Sequence, residues 1–235
     1  MKWLSIASLL IAGAVVFWVT AYPSVTMRYR LTLEAQVDGE AKVGSGVVEV
    51  TYSKQSRFAG QSPGIVDYRG EAVAVDLGSR GTLFALLKAD SDLRSTPETI
   101  ILRAFNFPGG ALPEPIDEGL KQLGRLSGKR ELPLTSLPLL VRFRDPANPM
   151  TVERVDPLDI GKSFGDGTKL VRATLEIVPV GIWPLNSFGI TGDPITTGTV
   201  RPLVWLQRLN GGYLHGGFTS RGAPLGLHGG EFKRG

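Results

Sequence analysis

Between Lys2 and Arg28 the chain carries no charged residue, and this feature limits its possible folds more than any other. The run from Trp3 to Tyr22 supplies the roughly 20 apolar residues that a helix needs to cross the hydrocarbon core of a bilayer. Aromatic residues, which prefer the membrane interfaces, stand at both ends, and Pro23 ends the helix because it lacks an amide hydrogen. The run therefore predicts a single transmembrane helix, in contact with the lipid bilayer, over residues 3–22.

A cleaved signal peptide is the alternative interpretation of this run. The small residues Val19-Thr20-Ala21 suit signal peptidase, which would then cut before Tyr22. The apolar part of a signal peptide is usually about 7–15 residues long, however, and this run is longer. The length therefore favours a retained anchor over cleavage.

The flanking charges give opposing indications of orientation. Lys2 and the α-amine favour an N-terminus inside the cytoplasm, whereas Arg28 and Arg30 favour the reverse. A short N-terminal tail followed by a long domain is the usual arrangement for export. We therefore expect an inner-membrane protein with the bulk of the chain on the periplasmic side.

Alternating apolar and polar residues predict a mainly β protein with antiparallel sheets. YRLTLEAQV at 29–37 and SGVVEVTYSK at 45–54 alternate with the period of half-buried strands, and they flank the turn-forming DGEAKVG. A second hairpin is predicted around GSRG at 78–81, and TIILRAF at 99–105 is predicted as a short buried strand. The strands are expected to form either one sandwich-like body or two small β subdomains.

One short helix is predicted after the anchor, because Ile116, Leu120, Leu123 and Leu126 recur at helical spacing within residues 114–128. Together with the strand patterns, this helix divides the chain into five predicted parts. They are the anchor, a first β region at 24–108, a helix and linker at 109–137, a second β region at 138–209, and a tail at 210–235.

The second β region contains its longest predicted strand in TKLVRATLEIVPV at 168–180. Strict alternation along this strand puts Leu170 on one face and Val171, Ala173 and Leu175 on the other. A last strand is predicted at 196–209.

The tail at 210–235 differs from the rest of the chain in composition and charge. Residues 1–200 hold 21 basic and 21 acidic residues, whereas residues 201–235 hold five basic residues and one acidic residue. The abundance of glycine predicts a flexible basic tail that is dispensable for folding. The tail either contacts an anionic envelope surface or acts as a spacer. So small a charge imbalance does not predict nucleic-acid binding.

Two motifs suggest a cofactor or a metal, but neither is complete. DPLDIGKS at 156–163 ends like a phosphate-binding loop, yet Asp156 stands where that loop needs a glycine. His215 and His228 lie in two Leu-His-Gly-Gly repeats, and two ligands do not make a metal site without a third. No cofactor and no metal ion is therefore predicted.

A group of aspartates leaves a hydrolase open as an alternative function. Asp145, Asp156, Asp159 and Asp166 lie close together in the sequence, and paired carboxylates can support hydrolysis. Three of the four adjoin proline or glycine, which is typical of turns. No residue is assigned a catalytic role.

The segment VPVGIWPLNSFGITGDP at 178–194 is a candidate binding loop. Trp183 and Phe188, together with Trp205, would form an exposed aromatic surface if this segment projects from the domain. The opposite interpretation, a plug buried in the core, is favoured because large aromatic side chains are buried on average.

The second half of the chain resembles a family of alphaproteobacterial proteins to which no activity is assigned. The similarity lies in VRFRDPANPMTVERVDPLDIGKSFGDGTKLVRATLEIVP and GDPITTGTVRPLVWL, with a hydrophobic N-terminus and a YRLTLE strand, and spans most of residues 3–210. The resemblance gives no residue a role. The expected function is a membrane-anchored, periplasm-facing β-rich domain that binds other envelope proteins or has a structural role; the alternative is an envelope hydrolase.

Overall fold

The computed structural model describes residues 20–56, 64–89, 96–182, 184–209 and 227–235. In these residues the chain is mainly β, as predicted, with ten strands in two antiparallel sheets. The strands are β1 (Ser24–Val37), β2 (Glu40–Lys54), β3 (Gly64–Glu71), β4 (Val73–Asp76), β5 (Thr82–Ala85), β6 (Gly128–Leu132), β7 (Leu140–Phe143), β8 (Val152–Arg154), β9 (Thr168–Val178) and β10 (Lys233–Arg234).

The first sheet has the strand order β10-β3-β2-β1-β9-β6 and is built on the predicted hairpin of β1 and β2. Asp38 and Gly39 turn the chain with φ values of +50° and +90°, as a tight two-residue hairpin turn requires. The apolar residues that alternate in the two predicted strands are buried, and Leu33 and Val50 are completely so. The predicted faces of this hairpin are therefore confirmed.

A β-bulge in β9 breaks the strict alternation predicted for that strand. Arg172 pairs with Glu34 and Leu170 pairs with Ala35, so Val171 has no partner on β1 and is 54% exposed. A bulge adds one residue to one strand and shifts its side chains to the other face. Leu170 and Ala173 consequently both face the core, and the prediction that they lie on opposite faces is wrong.

The second sheet, in the order β4-β5-β7-β8, packs against the first and shares one apolar core with it. Strand β4 crosses β2 over two glycines, and a Cβ atom added to Gly44 would lie 2.1 Å from the carbonyl oxygen of Ala74. The first sheet pairs β9 with β1, and the second pairs β7 with β5, so each sheet contains strands from both predicted regions. The predicted regions 24–108 and 138–209 therefore do not correspond to the two sheets.

Three α-helices lie wholly within the described residues, where one was predicted: α1 (Pro97–Ala104), α2 (Ile116–Leu123) and α3 (Gly161–Phe164). Helix α2 is the predicted one. Helix α1 covers most of the segment predicted as a strand. Pro97 occupies its first turn, and the Thr99 side chain accepts a hydrogen bond from the Thr96 backbone, so this short apolar run starts as a helix.

The end of the chain also departs from the prediction. Leu227 and Phe232 are buried against the outer face of the second sheet, and β10 pairs with β3. Residues 227–235 are therefore packed and not a flexible tail; residues 210–226 lie outside the described residues. The predicted strand at 196–209 is also wrong, since its second half forms a 3-10 helix, Val204–Leu209.

The predicted anchor lies almost entirely outside the described residues, which begin with the helical Thr20 and Ala21. In the described part of the chain, no helix combines the length and apolar character needed to span a bilayer.

Candidate functional site

Strand β9 is followed by the segment 179–193, here called the apolar loop, of which residues 179–182 and 184–193 are described. No charged residue lies between Glu176 and Asp193. The side chains of Ile182, Phe188 and Ile190 are 69%, 75% and 68% exposed, and Leu185 is 41% exposed. Scattered apolar residues are common on protein surfaces, but a contiguous apolar patch indicates an interaction site.

The two ends of the apolar loop are held together by hydrogen bonds. The Asp193 amide donates to the carbonyl oxygen of Pro179 at 2.9 Å, and the Ile182 amide donates to Thr191 Oγ1 at 3.0 Å. Gly181 has φ of +79°, and a Cβ atom there would lie 2.3 Å from the Thr191 oxygen. A side chain at this position would separate the two arms of the loop.

Two arginines of β1 fix the base of the apolar loop to the first sheet. Arg28 Nη1 donates to the main-chain oxygen of Asp193 at 2.6 Å, and its Nε lies 2.9 Å from Glu49 Oε2. Arg30 pairs with the Asp193 carboxylate and lies 3.6 Å from Glu176. The Arg28 side chain is only 6% exposed, so its ion pair is shielded from water. The base of the loop is thus bonded to the first sheet through both arginines.

The three aromatic residues predicted for a binding loop have different positions. Phe188 lies on the apolar loop and is exposed, so the buried-plug interpretation is wrong for this residue. Trp183 lies outside the described residues. Trp205 is buried, with its ring centroid 5.5 Å from that of Phe232, and its Nε1 donates to the Pro146 oxygen at 3.1 Å. Trp205 therefore belongs to the core and not to a binding loop.

Ile190 and Leu185 were not singled out in the sequence, although they form part of the exposed surface. The usable signal was the absence of charge from residue 177 to residue 192, combined with glycine and proline in place of alternation. Such a segment can be neither a regular strand nor a solvated polar loop.

A second candidate site is a charged groove of about 700 Å³ beside β7, β8 and α3. Its basic side chains are Arg142, Arg144, Arg154 and Lys162, and its acidic ones are Glu153, Asp156 and Asp159. Glu153 forms ion pairs with Arg142 at 3.1 Å and with Arg144 at 2.7 Å. Arg142 also lies over the Phe164 ring, so Arg142, Arg144 and Glu153 are already paired within the protein.

The aspartates considered for hydrolysis stabilise turns. Asp145 accepts from the Ala147 amide at 2.9 Å, and Asp156 accepts from the Leu158 amide at 2.9 Å. Asp159 accepts from the Lys162 amide at 3.3 Å. This is the usual role of aspartate at the start of a turn. Asp166 contributes its main-chain oxygen to a contact with Arg80.

Within the described ranges, no group of three or more His, Asp or Glu side chains could hold a metal ion. His228 precedes a short 3-10 helix, and its amide donates to Glu231 at 2.8 Å. His215 lies outside the described residues.

No family model matches the sequence, and comparisons with curated proteins and with solved structures find no match. The resemblance to the alphaproteobacterial family stays a prediction.

Proposed function

We propose that this chain is a membrane-anchored binding module of the cell envelope. Residues 3–22 hold it in the inner membrane, the β domain lies on the periplasmic side, and the apolar loop is its binding surface. The observation that carries the proposal is the exposure of Phe188, Ile182 and Ile190 on a loop with a fixed base. A rigid base keeps the entropy lost on binding small, because the loop needs little ordering.

The contacts of the aspartates that were considered for hydrolysis support binding in preference to catalysis. Hydrolysis by carboxylates needs two such groups facing one substrate. Asp145, Asp156 and Asp159 instead accept hydrogen bonds from nearby backbone amides. The apolar loop itself offers no titratable side chain between Glu176 and Asp193.

Membrane retention is tested by fractionating cells that produce the full chain and by measuring its intact mass. The proposal predicts that the chain stays with the membranes after alkaline carbonate extraction and keeps residues 1–21. A soluble periplasmic product that begins at Tyr22 would contradict the anchor.

The binding surface is tested with a photo-crosslinking amino acid placed at Phe188 and, as a control, at Val43. Both side chains are exposed, at 75% and 62%. Irradiation of cells should give adducts at position 188 and not at position 43. Equal adduct formation at both positions would contradict a specific surface on the apolar loop.

A further inference from the structure

We infer that the partner of the apolar loop is the bilayer that holds residues 3–22, so the domain contacts the membrane at two places. This inference rests on the proposed function and names the ligand of its binding surface. Three observations support it: where the loop leaves the sheet, which other apolar side chains are exposed at that end of the sheet, and how the nearby charges are paired.

The apolar loop leaves the first sheet at the end where the chain enters it. Strand β9 runs antiparallel to β1 and ends with Val178 opposite Arg28. Arg28 is four positions after Ser24, the first residue of β1, which corresponds to about 13 Å along a strand. The predicted anchor ends at Tyr22, two residues before Ser24. This anchor would therefore hold the base of the apolar loop close to the bilayer.

Strand β3 adds further exposed apolar side chains at the same end of the sheet. Ser24 pairs with Ser53, which in turn pairs with Ile65. Two exposed apolar side chains, Ile65 and Val66, thus lie at the anchor end of β3. Four more follow the end of β9 on the apolar loop: Ile182, Leu185, Phe188 and Ile190. Val43 marks the far end, because it pairs with Glu34, ten positions and about 33 Å along β1 from Ser24.

The charges around the apolar loop are neutralised within the protein. Arg28 pairs with Glu49, and Arg30 pairs with Asp193 and Glu176. Lys54, near the anchor end of β2, pairs with Asp117 at 2.8 Å. Binding at a membrane interface grows with buried apolar area and with attraction to anionic lipids. Because the charges near the apolar loop are paired, buried apolar area should contribute most of the binding free energy. Insertion should therefore need neither anionic lipid nor low salt.

Because the chain has no cysteine, a single introduced cysteine can be labelled to measure how deeply the apolar loop enters the bilayer. The full-length variants Phe188→Cys and Val43→Cys are labelled with an environment-sensitive fluorophore and reconstituted into phosphatidylcholine vesicles. Ile190→Cys provides a second loop position in case one substitution disturbs the loop. Vesicles with brominated acyl chains then report whether the fluorophore reaches the hydrocarbon region.

The inference predicts a blue-shifted emission at positions 188 and 190 that brominated lipids quench, and neither effect at position 43. The result should be the same at low and at high salt. The inference would be overturned if the chains float with the vesicles but the fluorophores at both loop positions are as exposed to water as the one at position 43. The membrane anchor would then still stand.

Two other outcomes separate this inference from the proposed function. Shielding of position 188 in native membranes, but not in pure lipid vesicles, would identify a protein partner; it would overturn lipid insertion and retain the loop as a binding surface. A chain that fails to float with vesicles would overturn both, because the anchor itself would be absent.

Discussion

Arg28 donates a hydrogen bond of 2.6 Å to the main-chain oxygen of Asp193, and so joins the first strand to the base of the apolar loop. The same guanidinium pairs with Glu49 at 2.9 Å, and the two side chains are only 6% and 13% exposed. One buried side chain therefore connects the hairpin, the ion pair and the loop.

Replacement of Arg28 by Met should lower the free energy of unfolding by about 3 kcal/mol, because removal of one partner leaves the other charge buried and unpaired. Thermal unfolding of the full chain in mild detergent measures this loss. Arg172→Met is the matched control, since Arg172 pairs with Glu34 on the same sheet but is 48% exposed. It should leave the unfolding temperature close to that of the unchanged chain, and equal losses would contradict the assigned burial.

Replacement of Gly44 by Ala should destabilise the protein by more than about 2 kcal/mol. The added Cβ atom would lie 2.1 Å from the Ala74 oxygen, where β4 crosses β2, and backbone cannot move aside as a flexible side chain can. Gly230→Ala is the control, because a Cβ atom there meets nothing within 4 Å. Equal unfolding temperatures for the two variants would show that the sheets do not cross at Gly44.

Removal of the Phe232 ring should cost about 3–5 kcal/mol, because Phe→Ala in a core loses burial and leaves a cavity. Phe232 is 1% exposed and packs on Trp205, whereas Val204, the control residue, is 51% exposed. Val204→Ala should change stability little. If Phe232→Ala were equally silent, the end of the chain would be the flexible tail that its composition predicts.

Alkaline pH should destabilise the protein partly through Tyr52. Burial, and to a lesser degree the negative charge of Glu98, raises the pKa of the Tyr52 hydroxyl well above its ordinary value of 10.0. The unfolded chain then releases this proton before the folded chain does, so stability is fully present below about pH 10 and falls as the pH rises above it.

Unfolding measurements between pH 8 and pH 12 on the unchanged chain and on Tyr52→Phe test this effect. The variant should lose about 1 kcal/mol at neutral pH, because the hydroxyl donates a hydrogen bond to the main-chain oxygen of Glu98. Its stability should then fall less steeply above pH 10. Identical slopes for both chains would contradict a raised pKa at Tyr52.

The sequence was sufficient where short-range alternation decides the structure. In the β1–β2 hairpin, every second residue is apolar, and alternate residues of a strand lie on the same face. Leu33 and Val50 lie on the buried face, as predicted. It was insufficient for 99–105, because a short apolar run has no period that separates a helix from a buried strand. Thr96 and Pro97, just before that run, carried the helix signal.

Long-range packing accounts for the other differences. Phe232 and Leu227 stand in a glycine-rich segment, and only their contacts with the second sheet and Trp205 show that they are buried. The shift of Leu170 depends on the register of β9 with β1, which no local pattern contains. For the candidate site, the segment 178–194 was predicted as a possible binding loop from its aromatic residues, but the exposure of Phe188 depends on how the loop leaves the sheet.

The proposed location of the domain, anchored in the membrane and outside the cytoplasm, is tested most directly by labelling Val43→Cys in intact cells. Because the unchanged chain has no cysteine, a membrane-impermeant maleimide reports on this one exposed position, and the unchanged chain gives the background. With the outer membrane permeabilised and the inner membrane intact, the account predicts labelling of the membrane-bound chain to the level reached after lysis. Labelling that appears only after lysis would place the domain in the cytoplasm and contradict the account.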